Sequence, residues 1–266
     1  MRILFWNTKG NCEINKYLSC IIEDYDIDIA VLAEYKASPQ DLIIRMRRCE
    51  RWFEQYNTIG CDRLTILGDY KNIEPAEQNY YYSIQIIDKR YVLCGIHMPS
   101  DLHGDRTNER HSIAQLIMAD VHDAENIIKS TSTIIVGDFN EMPYGYACLG
   151  ADAFHGLPFY NCEGKGNLTR RTVYGSKYVN YYNPMWSFLG DFSYPPGTYY
   201  RSEAVLYTPM WYLLDQFIFG QDLIPLLNKK EMRIITTCSG GNLYNSKGHP
   251  NKSISDHFPI MCEIEE

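Results

Sequence analysis

Near the middle of the chain, a short apolar segment runs directly into polar residues. The run Thr133-Ile134-Ile135-Val136 breaks at Gly137, and the next three residues are Asp138-Phe139-Asn140. Side chains alternate along a strand, so a strand here would point Asp138 and Asn140 to the same side. An α/β sandwich presents polar groups at the end of a sheet in this manner. Glycine, aspartate and asparagine are also common turn residues, so the segment alone equally fits a simple strand-ending turn.

The first third of the chain alternates between strand and helix patterns. Residues 2–6 predict one strand, and residues 28–33 predict a second that ends at Glu34. Between them, apolar residues recur at three-and-four spacing over 13–24, which predicts an amphipathic helix. Pro39-Gln40-Asp41 has the residue types of a helix start and predicts a second helix.

Strands dominate the central part of the chain. Strand-like runs at 63–67, 79–87 and 90–97 follow one another without room for helices, so we expect them to pair as antiparallel neighbours. A helical pattern then covers about 107–129 and precedes the strand at 133–137.

The last part of the chain begins with a long irregular segment. From 141 to roughly 210 the sequence is rich in Gly, Pro, Asn and Tyr, and such long irregular segments are usually functional. Strand patterns return at 212–219, 232–237 and 258–262.

This order of elements indicates the fold class. Helices mixed with consecutive strands favour two packed sheets with helices outside them, rather than a doubly wound parallel sheet. There is no internal repeat and no low-complexity linker, so we predict a single domain over 1–266.

Charge and composition narrow the function classes. The formal net charge of −8 argues against an architectural or processive nucleic-acid binder, but not against an enzyme with a local basic groove. The nine cysteines include no C-x-x-C pair, so neither a disulfide framework nor a zinc ribbon is indicated. No stretch approaches the roughly 20 apolar residues of a membrane span. The N-terminal apolar run is too short for a signal peptide, and we predict a cytoplasmic location.

Polar residues stand at or near the ends of most predicted strands. Each has a plain structural explanation, such as a solvated strand end or a hydrogen-bonded buried group. Together, carboxylates, histidines and asparagines suit metal-assisted phosphoryl transfer. The set is Asn7, Glu34, His97, Asp138, Asn140, Asp215, Asp256 and His257.

With these residues in order, the chain resembles the endonuclease/exonuclease/phosphatase superfamily, the DNase I-like fold. The resemblance implies a four-layer α/β/β/α sandwich of two mixed, mainly antiparallel sheets flanked by helices. It also implies a phosphoester hydrolase that depends on Mg²⁺ or Mn²⁺. The segments that carry it are strand-Asn7, Leu32-Ala33-Glu34, Gly95-Ile96-His97-Met98-Pro99-Ser100, Gly137-Asp138-Phe139-Asn140-Glu141-Met142-Pro143, Leu214-Asp215-Gln216-Phe217 and Ser255-Asp256-His257-Phe258-Pro259.

Within that resemblance, three residues are candidate metal ligands. Glu34 supplies the hard oxygen that Mg²⁺ prefers, with Asn7 and Asp256 nearby and water completing the shell. The metal would polarise the phosphoryl oxygen and stabilise the leaving oxygen.

Five residues are candidate catalytic groups. Asp138, held by the backbone and Asn140, is expected to orient or deprotonate the attacking water. His257, paired with Asp215, is expected to donate a hydrogen bond to the phosphate oxygen where charge builds up. His97 is a second phosphate donor or a general acid. A histidine at this place makes an abasic-site endonuclease the less favoured member of the family.

Substrate recognition is assigned to basic and aromatic residues outside the strands. Segment 159–212 carries Lys165, Arg170, Arg171 and Lys177 among many aromatic residues, a mixture that suits nucleic acid but also simple burial. Arg106 and Arg110, at the start of the helix after His97, are expected to reach substrate phosphate. Their alternative is an ion pair with Asp105 or Glu109. Asn140 is included in the substrate-binding set.

Three functions fit these residues. The first is a nuclease that cleaves phosphodiester bonds of DNA or RNA, in endo or exo mode. The second is a phosphatase or phosphodiesterase acting on a small or lipid-linked phosphate, because the fold does not choose the substrate. The third is a non-catalytic binding module on the same fold. Oligomeric state is left open by the sequence.

Overall fold

The computed structural model describes residues 1–162, 166–167, 169–203, 206 and 208–265. Its helices are α1 (Asn15–Asp24), α2 (Pro39–Arg48), α3 (Thr107–Ile128) and α4 (Tyr146–Leu149), with 3₁₀ turns at Asp101–His103, Pro184–Phe188 and Gln221–Leu226. The strands up to residue 138 are β1 (Arg2–Asn7), β2 (Ile29–Ala33), β3 (Glu54–Gln55), β4 (Leu64–Gly68), β5 (Ile73–Asn79), β6 (Tyr82–Ile87), β7 (Tyr91–His97) and β8 (Thr133–Asp138). The later strands are β9 (Gly156–Leu157), β10 (Asn161–Cys162), β11 (Gly166–Asn167), β12 (Arg170–Val173), β13 (Ser176–Val179), β14 (Tyr181–Tyr182), β15 (Tyr199–Tyr200), β16 (Trp211–Tyr212), β17 (Asp215–Phe219), β18 (Arg233–Ile234), β19 (Thr237–Cys238), β20 (Gly241–Asn242) and β21 (Ile260–Glu263).

Two large sheets organise the chain. The first sheet has the strand order β18-β21-β1-β2-β4-β3, and the second has β5-β6-β7-β8-β17-β14-β9. Within them β1 pairs with β2, β7 with β8 and β9 with β14 in parallel, and the remaining neighbours are antiparallel. The predicted pair of mixed, mainly antiparallel sheets is confirmed.

Helices cover the outer faces of the two sheets. Apolar residues of α1 and α2 join a core that runs through β1 and β2 and reaches the inner face of the second sheet. A second core packs α3 against the outer face of β6, β7 and β8. The sheets approach closely at Gly95 in β7, where an added Cβ would lie 3.0 Å from Val31 Cγ1 of β2. The layers are therefore helix, sheet, sheet, helix.

The longest helix, α3, has 22 residues and buries one face, including Ile113, Ile117 and Val121. In the described part of the chain, no helix is both long enough and apolar enough to cross a membrane.

Three expectations about the elements were wrong. The strand at 63–67 lies in the first sheet beside β2, and β5, which the sequence pattern missed, is the neighbour of β6. The segment 141–210 contains α4 and several short strands rather than continuous irregular chain. The 212–219 run is divided, because Leu213 and Leu214 separate β16 from β17.

The pairing of β7 with β8 requires a glycine at position 137. A Cβ at this position would lie 2.0 Å from the carbonyl oxygen of Ile96, which is backbone and cannot move aside without breaking the ladder. Glycine therefore lets the two parallel strands remain paired up to His97 and Asp138.

Candidate active site

The polar strand ends converge on one edge of the sandwich. Asn7 ends β1, and Glu34 follows the parallel strand β2. In the second sheet His97 stands opposite Asp138, and Asp138 stands opposite Asp215 in the antiparallel strand β17. Since the two sheets pack face to face, both groups of side chains meet at this edge.

Asp138 lies at the centre of the cluster and is 1% exposed. Its Oδ1 accepts a hydrogen bond from the backbone N–H of Asn140 at 2.9 Å. Its Oδ2 accepts one from Asn7 Nδ2 at 3.0 Å, and lies 3.9 Å from His97 Nε2 and 4.0 Å from His257 Nε2. The carboxylate is therefore held from one side and faces two imidazoles on the other.

Burial raises the pKa of the Asp138 carboxyl above its usual range. The nearby charge of Asp215 raises the same pKa further, while the charges of His257 and His97 and the Asn7 bond oppose the shift. A carboxyl with a raised pKa is a better proton acceptor than an ordinary surface aspartate.

Asn140 is placed differently from a residue in regular strand alternation. Its φ of 48° is left-handed, so β8 has already ended. The side-chain Nδ2 donates to the carbonyl of Met98 at 3.0 Å, and only the backbone N–H of Asn140 bonds Asp138. The amide therefore fastens the loop after β7 to the loop after β8.

His257 and Asp215 form a buried pair. The imidazole Nδ1 lies 2.9 Å from Asp215 Oδ2 and 3.2 Å from Oδ1, which assigns the proton to Nδ1 and leaves Nε2 facing Asp138. Thr198 Oγ1 accepts the backbone N–H of Asp215 at 3.2 Å. Ser255 Oγ accepts the backbone N–H of His257 at 3.1 Å. Both partners are thus fixed through their main chains.

The pKa of His257 is raised to about 10. Burial is the largest influence and lowers it, but the charge and hydrogen bond of Asp215, with the charges of Asp138 and Asp256, together outweigh burial. At neutral pH the ring is therefore an imidazolium, with a proton on both nitrogens.

This shift makes stability depend on pH in a defined direction. Because the folded pKa is raised, the His257–Asp215 pair contributes fully below about pH 6.5 and loses its contribution as pH rises towards about 10. We expect Asp215→Asn to be most destabilising near pH 6.5 and progressively less so up to about pH 10. Urea unfolding of both proteins across this window measures the difference, and a difference that grows with pH would contradict the assignment.

His97 is buried on the other side of Asp138. Burial lowers its pKa to about 4, helped by the charges of Arg63 and His257 and opposed by that of Asp138. The ring is neutral at neutral pH, and its Nδ1 has no hydrogen-bond partner among the described residues. Its Nε2 faces Glu34 Oε1 at 3.7 Å.

Glu34 has the features of a cation ligand. Its φ of 50° is unusual for a non-glycine residue, and such strain concentrates at functional sites. The side chain is 45% exposed, and its Oε1 accepts Asn7 Nδ2 at 3.3 Å. In the described part of the chain, no lysine or arginine nitrogen lies within 4.0 Å of this carboxylate. The residues therefore fit a hard divalent cation at the solvent-facing side of the cluster.

Asp256 already has a cationic neighbour, Lys9. Its side chain is 23% exposed, and Oδ2 lies 3.5 Å from Lys9 Nζ. A second grouping of metal-competent atoms, within 4.8 Å of one another, is Asp138, Asp215 and His257. That trio is almost closed to solvent, whereas a catalytic cation needs room for water and substrate. Glu34, which is partly exposed, is therefore the better anchor for a catalytic cation.

The predicted substrate-binding arginines Arg106 and Arg110 differ in their exposure and in their ion-pair partners. Arg110 is 2% exposed and bonds Asp101 Oδ1 at 2.7 Å and Oδ2 at 3.0 Å, so its guanidinium is already committed. Asp101 is therefore the ion-pair partner of Arg110, in place of the expected Asp105 or Glu109. Because the guanidinium is buried in this ion pair, Arg110 is unsuited to binding substrate phosphate. Arg106 precedes α3, is partly exposed and lies 3.3 Å from Glu109 Oε2.

Arg170 and Arg171 lie in the hairpin β12–β13, far from the cluster. The hairpin leads through Asn180, whose carbonyl accepts Gln221 Nε2 beyond the far end of β17. Strand β17 starts at Asp215, so this end of the sheet is about 14 Å from the site, at roughly 3.4 Å per residue. The structure does not bring these two arginines to the active edge. Lys165 lies outside the described residues.

Arg63 and Trp6 were not found as contributors by the sequence pattern, whereas Tyr199 belongs to the aromatic segment 159–212 considered for substrate contact. Arg63 Nη1 donates to the His97 carbonyl at 3.2 Å, and its guanidinium packs over Tyr81 at 5.1 Å. The ring of Tyr199 lies 4.9 Å from that of His257, centroid to centroid. Trp6 Nε1 donates to the His257 carbonyl at 2.9 Å. Arg63 opens a predicted strand, but no local signal in the sequence links it to His97.

Comparison with solved structures identifies the fold. The chain is 17% identical to D. rerio TDP2 complexed with single strand DNA product, with a TM-score of 0.57 over 98% of this chain and 97% of that one. It is 12% identical to the 3′ phosphatase NExo from Neisseria bound to product DNA hairpin, with a TM-score of 0.59 over 100% of both chains. It is 14% identical to the human Nocturnin catalytic domain with bound sulfate anion, with a TM-score of 0.57 over 98% of this chain and 92% of that one.

No protein-family model matches the sequence, and no curated protein matches it either. The structural matches show the fold alone, and it is the DNase I-like sandwich that the resemblance in the sequence implied.

Proposed function

We propose that this protein is a divalent-metal-dependent phosphoester hydrolase that cleaves phosphodiester bonds in nucleic acid. The observation that carries the proposal is the meeting of Asn7, Glu34, His97, Asp138 and the Asp215–His257 pair at one edge of the sandwich. This edge combines a cation ligand, a proton acceptor and a cationic hydrogen-bond donor. These are the groups that phosphoester hydrolysis requires.

Glu34, with Asn7 and Asp256, would hold Mg²⁺ or Mn²⁺. The bound cation supplies Lewis-acid polarisation of the phosphoryl oxygen and stabilisation of the leaving oxygen. Asn7 Nδ2 joins Glu34 Oε1 to Asp138 Oδ2, so the amide sets the spacing between the cation ligand and the proton acceptor.

Asp138 would take the proton of the attacking water. Its two oxygens are oriented by the Asn140 N–H and by Asn7, which leaves one direction of Oδ2 open towards the histidines. Burial raises its pKa and strengthens it as a base.

His257 and His97 would bind the phosphate oxygens. The imidazolium of His257 directs its Nε2–H into the site because Asp215 holds Nδ1. A fixed cation at this place stabilises the charge that builds up in the transition state. His97, neutral at neutral pH, is suited to donating a hydrogen bond rather than a full proton.

Nucleic acid is the proposed substrate class. Two of the similar structures hold DNA products, one a single strand and one a hairpin. Arg106 and the Arg63 guanidinium near His97 are the basic groups on this side of the fold that we propose for phosphate contact. The location in the cytoplasm stays a prediction from the sequence.

The proposal is tested with fluorescent single-stranded and duplex DNA and RNA, in Mg²⁺, in Mn²⁺ and in EDTA. We expect cleavage that requires a divalent cation and is lost in EDTA. Glu34→Gln is expected to raise the cation concentration needed for half-maximal rate, because a neutral amide is the weaker ligand. Glu54→Gln, on an exposed edge strand, is the matched control and should leave this concentration unchanged.

Two outcomes would contradict the proposal. Turnover confined to small or lipid-linked phosphoesters would assign the alternative phosphatase or phosphodiesterase function. No cation-dependent turnover on any of these compounds would leave a binding module on the same fold.

A further inference from the structure

A groove opens beside the catalytic edge, between β15 and the loop 245–253. Its volume is about 420 Å³, within the range of about 300–1,000 Å³ typical of small-molecule sites. Asp256 is one of the lining residues, so the groove includes a residue of the proposed cation site. No residue of the loop 245–253 entered the sequence-based site.

Aromatic rings form one wall of this groove. Tyr200 and His249 both line it and stack on each other, with ring centroids 3.5 Å apart and planes within 17°. Trp211 supports the pair edge-on, 5.2 Å from Tyr200 and 5.7 Å from His249. The rings are therefore fixed before any ligand arrives, which lowers the entropy cost of stacking on them.

Two lysines supply positive charge. Lys247 and Lys252 line the groove, in a chain whose net charge is −8. Across the described residues, no carboxylate oxygen lies within 4.0 Å of either ammonium group. Unlike Lys9, which is near Asp256, these two cations are available to a ligand.

The loop that carries these groups is internally braced. Asn245 Oδ1 accepts the backbone N–H of Lys247 at 2.9 Å and of His249 at 3.3 Å. Asn251 Oδ1 accepts both the N–H and the hydroxyl of Ser253, at 3.1 and 2.8 Å. The lysines thus rise from a defined backbone rather than from a loose chain end.

We infer that this groove binds the nucleotide next to the scissile phosphate in a single-stranded nucleic acid. The base stacks on the Tyr200–His249 pair, and the flanking phosphates lie against Lys247 and Lys252. Stacking platforms combined with basic side chains are the usual means of holding single strands without sequence preference. The inference rests on the proposed function, because the groove adds substrate affinity to that same site.

Binding and cleavage are measured separately. Binding of a fluorescein-labelled oligothymidine is followed by fluorescence anisotropy in EDTA, where no cleavage occurs. We expect Tyr200→Ala to weaken binding about tenfold, as one lost stacking contact does. Tyr200→Phe keeps the ring and is expected to bind like the wild type, which separates stacking from misfolding.

The lysines are tested through the salt dependence of binding. Each of Lys247→Gln and Lys252→Gln is expected to reduce the slope of log K against log salt by about 0.7, the value for one single-strand phosphate. Trp52→Ala and Lys89→Gln are matched controls, because both residues are exposed near the sheet ends opposite the active edge, and they should change neither affinity nor slope.

Cleavage assays then separate this inference from the proposed function. With the oligonucleotide, Tyr200→Ala should raise KM about tenfold, the size of one lost stacking contact. With bis(4-nitrophenyl) phosphate, which has no base, its rate should equal that of the wild type. If the wild type cleaves the oligonucleotide but Tyr200→Ala binds it as tightly as the wild type does, the groove does not bind the nucleotide. The proposed hydrolase function is unaffected by that result. If the wild type cleaves no oligonucleotide, the proposed function is wrong. The anisotropy measurement then decides by itself whether the groove binds single-stranded nucleic acid. Equal losses of affinity in Trp52→Ala and Lys89→Gln would also contradict binding in the groove.

Discussion

Replacing Asp138 by asparagine is expected to lower kcat by about 10²–10⁴-fold, the usual contribution of a positioned general base. The amide has the same shape but cannot accept a proton at neutral pH. The loss should appear with every phosphoester that the wild type cleaves, because the attacking water is common to all of them. Steady-state kinetics with saturating cation measure it.

The fold should tolerate this change. Asp138 is buried and its pKa is raised, so its ionised form destabilises the folded state above the pKa of the unfolded carboxyl. Asparagine removes that penalty but sacrifices the bond to Asn7 or to Asn140, a loss of about 1–3 kcal/mol. The two effects have opposite signs, and we expect the melting temperature to stay close to that of the wild type.

Asp123→Asn is the matched control, since Asp123 is exposed on α3. It removes one carboxylate without touching the catalytic edge and should keep full kcat. If Asp138→Asn retained a kcat within tenfold of the wild type, Asp138 would not be the group that accepts the water proton.

Much of the fold could be predicted from the sequence because the main helices and strands follow simple periodic patterns of apolar residues. The helix over 107–129 and the strand ending at Asp138 were placed within a residue or two, since each has a long apolar pattern. Strand β5 was missed because its residues are largely exposed and it lies at the edge of its sheet. The sequence pattern also could not predict which sheet β4 joins, because the alternation of its residues is the same in either sheet.

The site was predictable where a residue stands at a strand end. Parallel pairing of β7 with β8 aligns His97 with Asp138, and this alignment follows from both runs being buried strands. Arginine roles were not predictable in this way, because the partner of a long side chain depends on tertiary packing. Arg110 illustrates this, since Asp101 sits on a 3₁₀ turn that the sequence did not indicate.

The groove beside Asp256 illustrates a different limit. Tyr200 and His249 are far apart in the sequence, and neither belongs to a periodic run. A bridge between Tyr199 and His257 brings β15 alongside the chain that follows loop 245–253, and the two rings stack there. Contacts that depend on such a single tertiary pairing leave no pattern for sequence reasoning to detect.

The second prediction with a large effect concerns the Asp215–His257 pair. The losses of kcat caused by replacing each residue are expected to be strongly non-additive. His257→Gln should lower kcat by about 10²–10³-fold, the size of one lost donor to developing charge. Asp215→Asn should cause a loss of similar order, although Asp215 lies behind the imidazole and acts on phosphate only through it. The double variant should be no more than about tenfold worse than either single variant, because residues that act as a unit are lost together.

The pH profile distinguishes this unit from a merely structural pair. Activity that needs protonated His257 should be lost on the alkaline side, as pH approaches the pKa of about 10. Removing the charge of Asp215 lowers that pKa, so Asp215→Asn should lose activity at lower pH than the wild type does. The exposed pair His111–Asp152, 3.3 Å apart, is the matched control, and His111→Gln with Asp152→Asn should leave kcat and the profile unchanged. Multiplicative losses in the Asp215–His257 cycle, or an alkaline limb that does not move, would show that the two residues do not work as one donor.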